Sequence, residues 1–195
     1  MKWLDVVQKS LSRRSPVLLP TGRKRAAVAL VVYEDVDGAS VLYILRARRE
    51  GDPWSGHIAF PGGRIEDTDA GPQETAERET LEEIGLDLRA GRCLGRLDDL
   101  TTQLDSLHVA GFVYSLAAKP VLNRSPEVLS AFWFPVTRLL EPKRQGETVV
   151  RGEFANRSAP AIDLLGPGDP MLWGLTYRFT LQILKLGGSP LSVRR

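Results

Sequence analysis

Hydrophobic and polar positions alternate along this chain in ways that separate strands from helices. Near the start, Leu4, Val7 and Leu11 recur at helical spacing, which predicts a short amphipathic helix packed on the body and broken by Pro16, Pro20 and Gly22. Two runs rich in β-branched residues follow, AAVALVVYED (Ala26 to Asp35) and SVLYILRAR (Ser40 to Arg48). With Asp37-Gly38 between them they predict a hairpin. A loop with Gly51, Pro53 and Gly56 leads to a short strand, HIAF, and then to a turn at Gly62-Gly63. The segment from about Gln73 to Ile84 predicts a helix stopped by Gly85. Beyond it, CLGRLDDLTT, LHVAGFVYSL and VLSAFWFPV predict further strands, and Pro135 to Leu140 begins a new element. The C-terminal LWGLTYRFTLQILKL suits a helix on the core through Leu172, Leu175, Phe179, Leu181, Ile183 and Leu184. Strands and helices interleave without a βαβ repeat, so the expected class is α/β (α+β), a mixed sheet sandwiched between helices.

Composition narrows the role. With 195 residues, 43% of them hydrophobic, residues 1–195 fit a single domain, 1–22 forming an N-terminal helical extension. A net charge of +2 gives no basic field of the kind a dedicated nucleic-acid binder carries. Cys93 is the only cysteine, which excludes an intrachain disulfide framework and is read as a buried small residue. No apolar run approaches the roughly 18 residues that span a bilayer, and the start lacks a hydrophobic signal segment. A cytoplasmic location without a membrane partner is expected, and a homodimer is left open.

The stretch with the most chemistry is FPGGRIEDTDAGPQETAERETLEEIGLDL. At about 100° per residue, Glu79, Glu82 and Glu83 share one helix face while Thr80, Leu81 and Ile84 point the other way. Clustered carboxylates repel, and keeping them ionised near neutral pH requires cations. Hard oxygen ligands on a rigid helix suit Mg²⁺ or Mn²⁺. Arg78 can hold part of the charge and orient a glutamate but cannot replace a divalent ion. A solvated acidic face is the plain alternative; it leaves unexplained the adjacent glycines, which let backbone come close to a ligand or metal.

Gly63, an acidic stretch, and then Arg78-Glu79-Thr80-Leu81-Glu82-Glu83-Ile84-Gly85-Leu86 resemble the Nudix box, here about residues 62–86. The box marks Mg²⁺-dependent hydrolases of nucleoside diphosphates linked to another group. Thr80 stands where an aliphatic residue is usual, and Ala70 where a glutamate is usual, with Asp69 one place earlier. Phe60-Pro61-Gly62-Gly63, Glu66, Asp69 and Trp173-Gly174-Leu175-Thr176 are similar to the coenzyme A diphosphatase branch, whereas Gly51, Trp54 and His57 depart from its preceding stretch.

The resemblance implies a Nudix fold and cleavage of a diphosphate bond in a small nucleotide substrate. Glu79 and Glu83 would be metal ligands, Glu82 a third or water-mediated one, and a Gly62 or Gly63 carbonyl another oxygen. The base would be a box glutamate, Glu82, or an acid from a distant loop, Glu127. Arg46, Arg48 and Arg49 are candidates for the substrate's phosphates, Arg48 foremost, and His57 for a phosphate or nucleobase. Trp54 either stacks on an adenine or packs its loop, and His108 is read as a core or edge-strand residue. Coenzyme A or acyl-coenzyme A is the leading substrate. Alternatives are ADP-ribose, a nucleoside-diphosphate sugar or a nucleoside triphosphate, and a nucleotide-binding domain without catalysis.

Overall fold

The computed structural model describes residues 2–20, 24–51, 54–102, 107–150 and 157–189; Gly22, expected to help break the first helix, and Pro53, expected in the loop before HIAF, lie outside them. Helix α1 (Trp3–Ser12) precedes the hairpin of β1 (Arg25–Asp35) and β2 (Gly38–Arg46). Next come β3 (Ile58–Ala59), β4 (Gly62–Arg64), α2 (Pro72–Ile84), β5 (Arg92–Arg96), β6 (Leu100–Thr101), β7 (His108–Leu116), β8 (Val128–Pro135) and α3 (Val136–Leu139). A ribbon of β9 (Gln145–Val150) and β10 (Arg157–Ile162) and helix α4 (Gly174–Leu186) complete the described chain.

The sheet is mixed. Its order is β3-β2-β1-β7-β5, with β4 also on β1, β6 on β7 and β8 on β2. Central strands β1 and β7 run parallel from Arg25↔His108 to Tyr33↔Leu116, and the other pairings are antiparallel. Alternate side chains of β1 point to opposite faces, and both faces are covered. Ala27, Ala29 and Val31 join Leu42, Ile44, Ala110 and Phe112 beneath Ala76 and Ile84 of α2. Leu30 and Val32 join Val41, Tyr43 and Val113 beneath Val7 and Leu11 of α1 and Phe179, Ile183 and Leu184 of α4. Small alanines on the α2 side let that helix settle close to the sheet.

β1 and β2 pair from Val32↔Val41 to Asp35↔Gly38. Farther along, β4 takes β1 (Ala26↔Arg64 to Val28↔Gly62) and β3 takes β2 (Ile44↔Ala59). Residues 58–64 thus form a wedge between the two long strands. Gly62-Gly63 is therefore a strand, not the turn expected from its glycines. The glycines serve close approach instead: a Cβ on Gly62, whose φ is +150°, would lie 2.2 Å from the Ala27 carbonyl oxygen.

Two other expectations change. Leu81 is 44% exposed, because α2 buries the side carrying Ala76, Thr80, Glu83 and Ile84. Cys93 is exposed, since β5 is an edge strand with a bulge after Cys93. His108 stands at the start of β7, where its Nδ1 lies 3.1 Å from the Pro20 carbonyl oxygen.

Helix α1 is fastened by a carboxylate from the sheet. The amides of Trp3 and Leu4 donate to Glu34 at 2.7 and 3.0 Å, satisfying donors that a helix N-terminus leaves open. Ser10 donates to the Leu186 carbonyl, tying α1 to α4. Glu34→Ala should cost about 1 kcal/mol, the scale of a lost helix cap. Thermal unfolding checks the size, and hydrogen exchange should show the loss of protection concentrated in α1.

Candidate active site

Helix α2 carries the acidic cluster. Pro72 fits its first turn, and Gly85, in the left-handed region at φ 67°, closes it by donating to Leu81 O at 2.9 Å. Thr80 is fully buried, yet its hydroxyl donates to Ala76 O at 2.6 Å, so its polar atom is satisfied within the helix. That bond accounts for a threonine at a position where an aliphatic side chain would also pack.

The three glutamates differ in depth. Glu83, Glu79 and Glu82 have side chains 5%, 19% and 57% exposed. Glu82 and Glu83 stand about 100° apart around the helix, and β4 lies on the Glu83 side. Glu83 accepts a hydrogen bond from the Gly62 amide at 2.9 Å, and Arg46 Nη1 is 3.7 Å from its other oxygen. Burial pushes the Glu83 carboxyl up to about 7, against the opposing pull of the Gly62 amide and Arg46. Burial also raises Glu79, with Arg78 working against the shift. A Cβ on Gly63 would lie 2.3 Å from the Glu79 carboxyl carbon, so the second glycine makes room for that carboxylate.

Arg78 organises the outer rim. Its Nε and Nη2 donate to Asp69 at 2.9 and 3.0 Å, and its Nη1 to Glu79 and Glu82 at 3.0 and 3.1 Å. Asp69, 3% exposed, also accepts from the Thr75 hydroxyl and the Glu66 amide. The Arg78 hydrogen bonds hold the Asp69 carboxyl far below the usual carboxylate range. Asp69 thus anchors the loop before α2, while Glu66 is 62% exposed.

Glu79 and Glu83 line a cavity of about 640 Å³. Its wall includes Arg46, Arg49, His57, Gly62, Gly63 and Glu127, and, on another side, Val28, Phe60, Leu107, Val109, Leu175 and Phe179. The volume and the apolar lining suit a small-molecule site. Arg48 is not among the described lining residues and packs beneath Gly56, 3.7 Å from where a Cβ would stand there. Glu82 is likewise absent from the lining. The His57 ring lies edge-on to Trp54 and Trp173, with centroids 6.2 and 5.1 Å away. Trp173 gave a sequence signal as part of the Trp-Gly-Leu-Thr run, but its approach to His57 depends on the tertiary fold. Among the described residues no three acidic, histidine or cysteine side chains converge as a preformed ion cage. Arg78 draws Glu79 and Glu82, and Gly62 draws Glu83.

A family model described as NUDIX domain matches residues 23–152. The chain belongs to the Nudix family. The mitochondrial coenzyme A diphosphatase NUDT8 of Homo sapiens is 33% identical over 172 residues, 85% of this chain and 72% of that protein. An uncharacterized protein of Schizosaccharomyces pombe, C14C4.10c, is 43% identical over 113 residues, 54% of this chain, but the chain spans only 34% of its length. A solved MutT/nudix family protein from Enterococcus faecalis shares the fold, with a TM-score of 0.55 at 14% identity over 96% of this chain and 75% of that one. This Nudix chain is accordingly an enzyme of the hydrolase class, built on an α/β/α sandwich. Among the described residues no helix is long and apolar enough to cross a membrane. Relatives include mitochondrial and chloroplastic proteins, so the expected cytoplasmic location rests on composition alone.

Asp69→Asn should lower the melting temperature near neutral pH by on the order of 5 °C, because a part-buried, charge-assisted pair of bonds to Arg78 is weakened. The folded-state pKa of Asp69 is depressed, so its stabilisation is present above the unfolded value of about 3.9 and fades as pH falls below it. Melting curves of the two proteins should therefore converge under acid conditions; a gap that stays constant down to acid would show that the Asp69 charge is not its source.

Proposed function

We propose that the chain is a divalent-metal-dependent diphosphatase acting on coenzyme A or acyl-coenzyme A, giving 3′,5′-ADP and the corresponding 4′-phosphopantetheine. The observation that carries the hydrolytic reading is the buried Glu83, braced on the Gly62 amide one helical turn from Glu79 at the wall of the cavity. Buried carboxyls with raised proton affinity gain most from a nearby cation, and their oxygens suit Mg²⁺ or Mn²⁺. Glu79 and Glu83 would hold the ion, with Glu82 reaching it through water. Once bound, it would neutralise the diphosphate and lower the pKa of the attacking water.

The chain's own residues supply the rest. Gly62 and Gly63 leave room for β1 backbone and for the Glu79 carboxylate, which lets α2 bring its acids up to the cavity. Arg46, at the cavity wall and beside Glu83, is suited to a phosphate. Arg78 keeps Glu79 and Glu82 aligned without occupying the cavity. Glu127, on the wall and 47% exposed, is the proposed base for water. Similarity to the human coenzyme A diphosphatase over most of the chain favours the coenzyme A substrate. One observation favours a second reading, ADP-ribose or another nucleoside diphosphate derivative: Trp54 and His57, which depart from the coenzyme A pattern, both line the cavity.

Chromatography of products from coenzyme A, ADP-ribose, diadenosine polyphosphates and a nucleoside triphosphate, each with Mg²⁺ or Mn²⁺, separates the two readings. Release of 3′,5′-ADP from coenzyme A alone is expected, and preferential turnover of another substrate would transfer the assignment to it. Glu83→Gln should abolish turnover and weaken Mn²⁺ binding in calorimetry while the fold persists, since the amide oxygen can still accept from Gly62. Near-wild-type turnover would remove Glu83 from the reaction. Glu127→Gln should cut kcat about 100-fold; a loss below threefold would exclude it as the base.

A further inference from the structure

The ion pair between Arg49 and Glu127 sits at the mouth of the same cavity. Arg49 Nη1 lies 2.8 Å from Glu127 Oε1, and the two side chains are 54% and 47% exposed. A pair so open to water contributes little to stability. Its backbone setting, however, is fixed on both sides. The Ala47 amide donates to the Glu127 carbonyl at 2.8 Å, and the Arg49 amide donates to the Ser55 hydroxyl at 2.6 Å. The loop leading to Glu127 is stitched to the end of α2, with Asn123 N donating to Ile84 O and Ser125 N to Glu83 O, both at 2.9 Å. Glu127 is thereby tied through backbone to the residue that carries the deepest carboxylate, and only its side chain retains freedom.

The geometry points to Arg49 as the positioning residue for Glu127: by holding Oε1 it aims Oε2 at the cavity, where water attacks the substrate. This inference rests on the diphosphatase reading above. In the step, the water oxygen bonds to one phosphorus as the bridging P–O bond breaks, the water proton passes to Glu127 Oε2, and the second phosphate leaves with the bridging oxygen. Arg49 neither bonds nor transfers a proton. Its effect falls on the fraction of time Glu127 spends in the productive rotamer, which enters kcat rather than substrate affinity.

The test is a cycle of wild type, Arg49→Gln, Arg49→Lys, Glu127→Gln and the Arg49→Gln/Glu127→Gln double variant, assayed with Mg²⁺ on coenzyme A and on ADP-ribose. Arg49→Gln should lower kcat about tenfold with KM changed less than threefold, and Arg49→Lys, which keeps the charge, should recover most of the loss. In the Glu127→Gln background, Arg49→Gln should cost less than twofold, because the group it positions is gone. A rise in KM at unchanged kcat would make Arg49 a phosphate contact and overturn the proposal, as would a full tenfold loss in the Glu127→Gln background. Wild-type turnover by Glu127→Gln would instead overturn the base assignment itself, an outcome distinct from a large Glu127→Gln loss beside a normal Arg49→Gln enzyme.

Discussion

Everything at this site depends on the closeness of α2 to β4, which two residues without side chains make possible. At Gly62 the space a Cβ would need is filled by β1 backbone, and at Gly63 by the Glu79 carboxylate. The glycines thus set the distance between a helix of acids and the strand whose Gly62 amide meets Glu83. Wedging β4 between the diverging long strands places that contact at an opening in the sheet, where backbone would otherwise lack partners. The cavity follows from this arrangement, as does the burial of Glu83.

Charge is balanced in layers around the contact. Deep in the wall, Glu83 meets an amide and, farther off, the Arg46 guanidinium; at the rim, Arg78 divides its donors between Asp69 and the outer glutamates. Arg78 and Asp69 form the fixed part of this arrangement, since the Asp69 side chain is little exposed and its bonds close the loop before α2. Glu79 belongs to both layers, sharing its carboxylate with Arg78 while facing the cavity. A cation arriving there would compete with one guanidinium donor rather than dismantle the loop.

Much of this was legible in the sequence, for identifiable reasons. Gly85 ends α2 because the left-handed cap has a strong residue preference, and the β1–β2 hairpin is marked by its apolar strands and the turn between them. The glycine pair was legible as a place of close approach, but not as a strand, since pairing with β1 is decided by residues far away in the chain. Spacing placed Glu79, Glu82 and Glu83 together; it could not rank their depth, because that depends on which side β4 packs. Cys93 gave a misleading signal, as an apolar residue on an edge strand reads like one in the core. The β9–β10 ribbon escaped notice because its strands are mostly exposed and carry little hydrophobic alternation.

The parallel pairing of β1 with β7 joins Arg25 to His108, so the chain between them, including β4 and α2, is a long loop that this pairing closes. Closing such a loop costs entropy before its contacts repay it, and topologies of this kind fold slowly. Local turns and the isolated helix can form early, but the glycine strand has no neighbour until β1 is in place. The cavity, whose wall includes Leu107 and Val109 as well as Glu79 and Glu83, is therefore complete only once β7 has found its place beside β1.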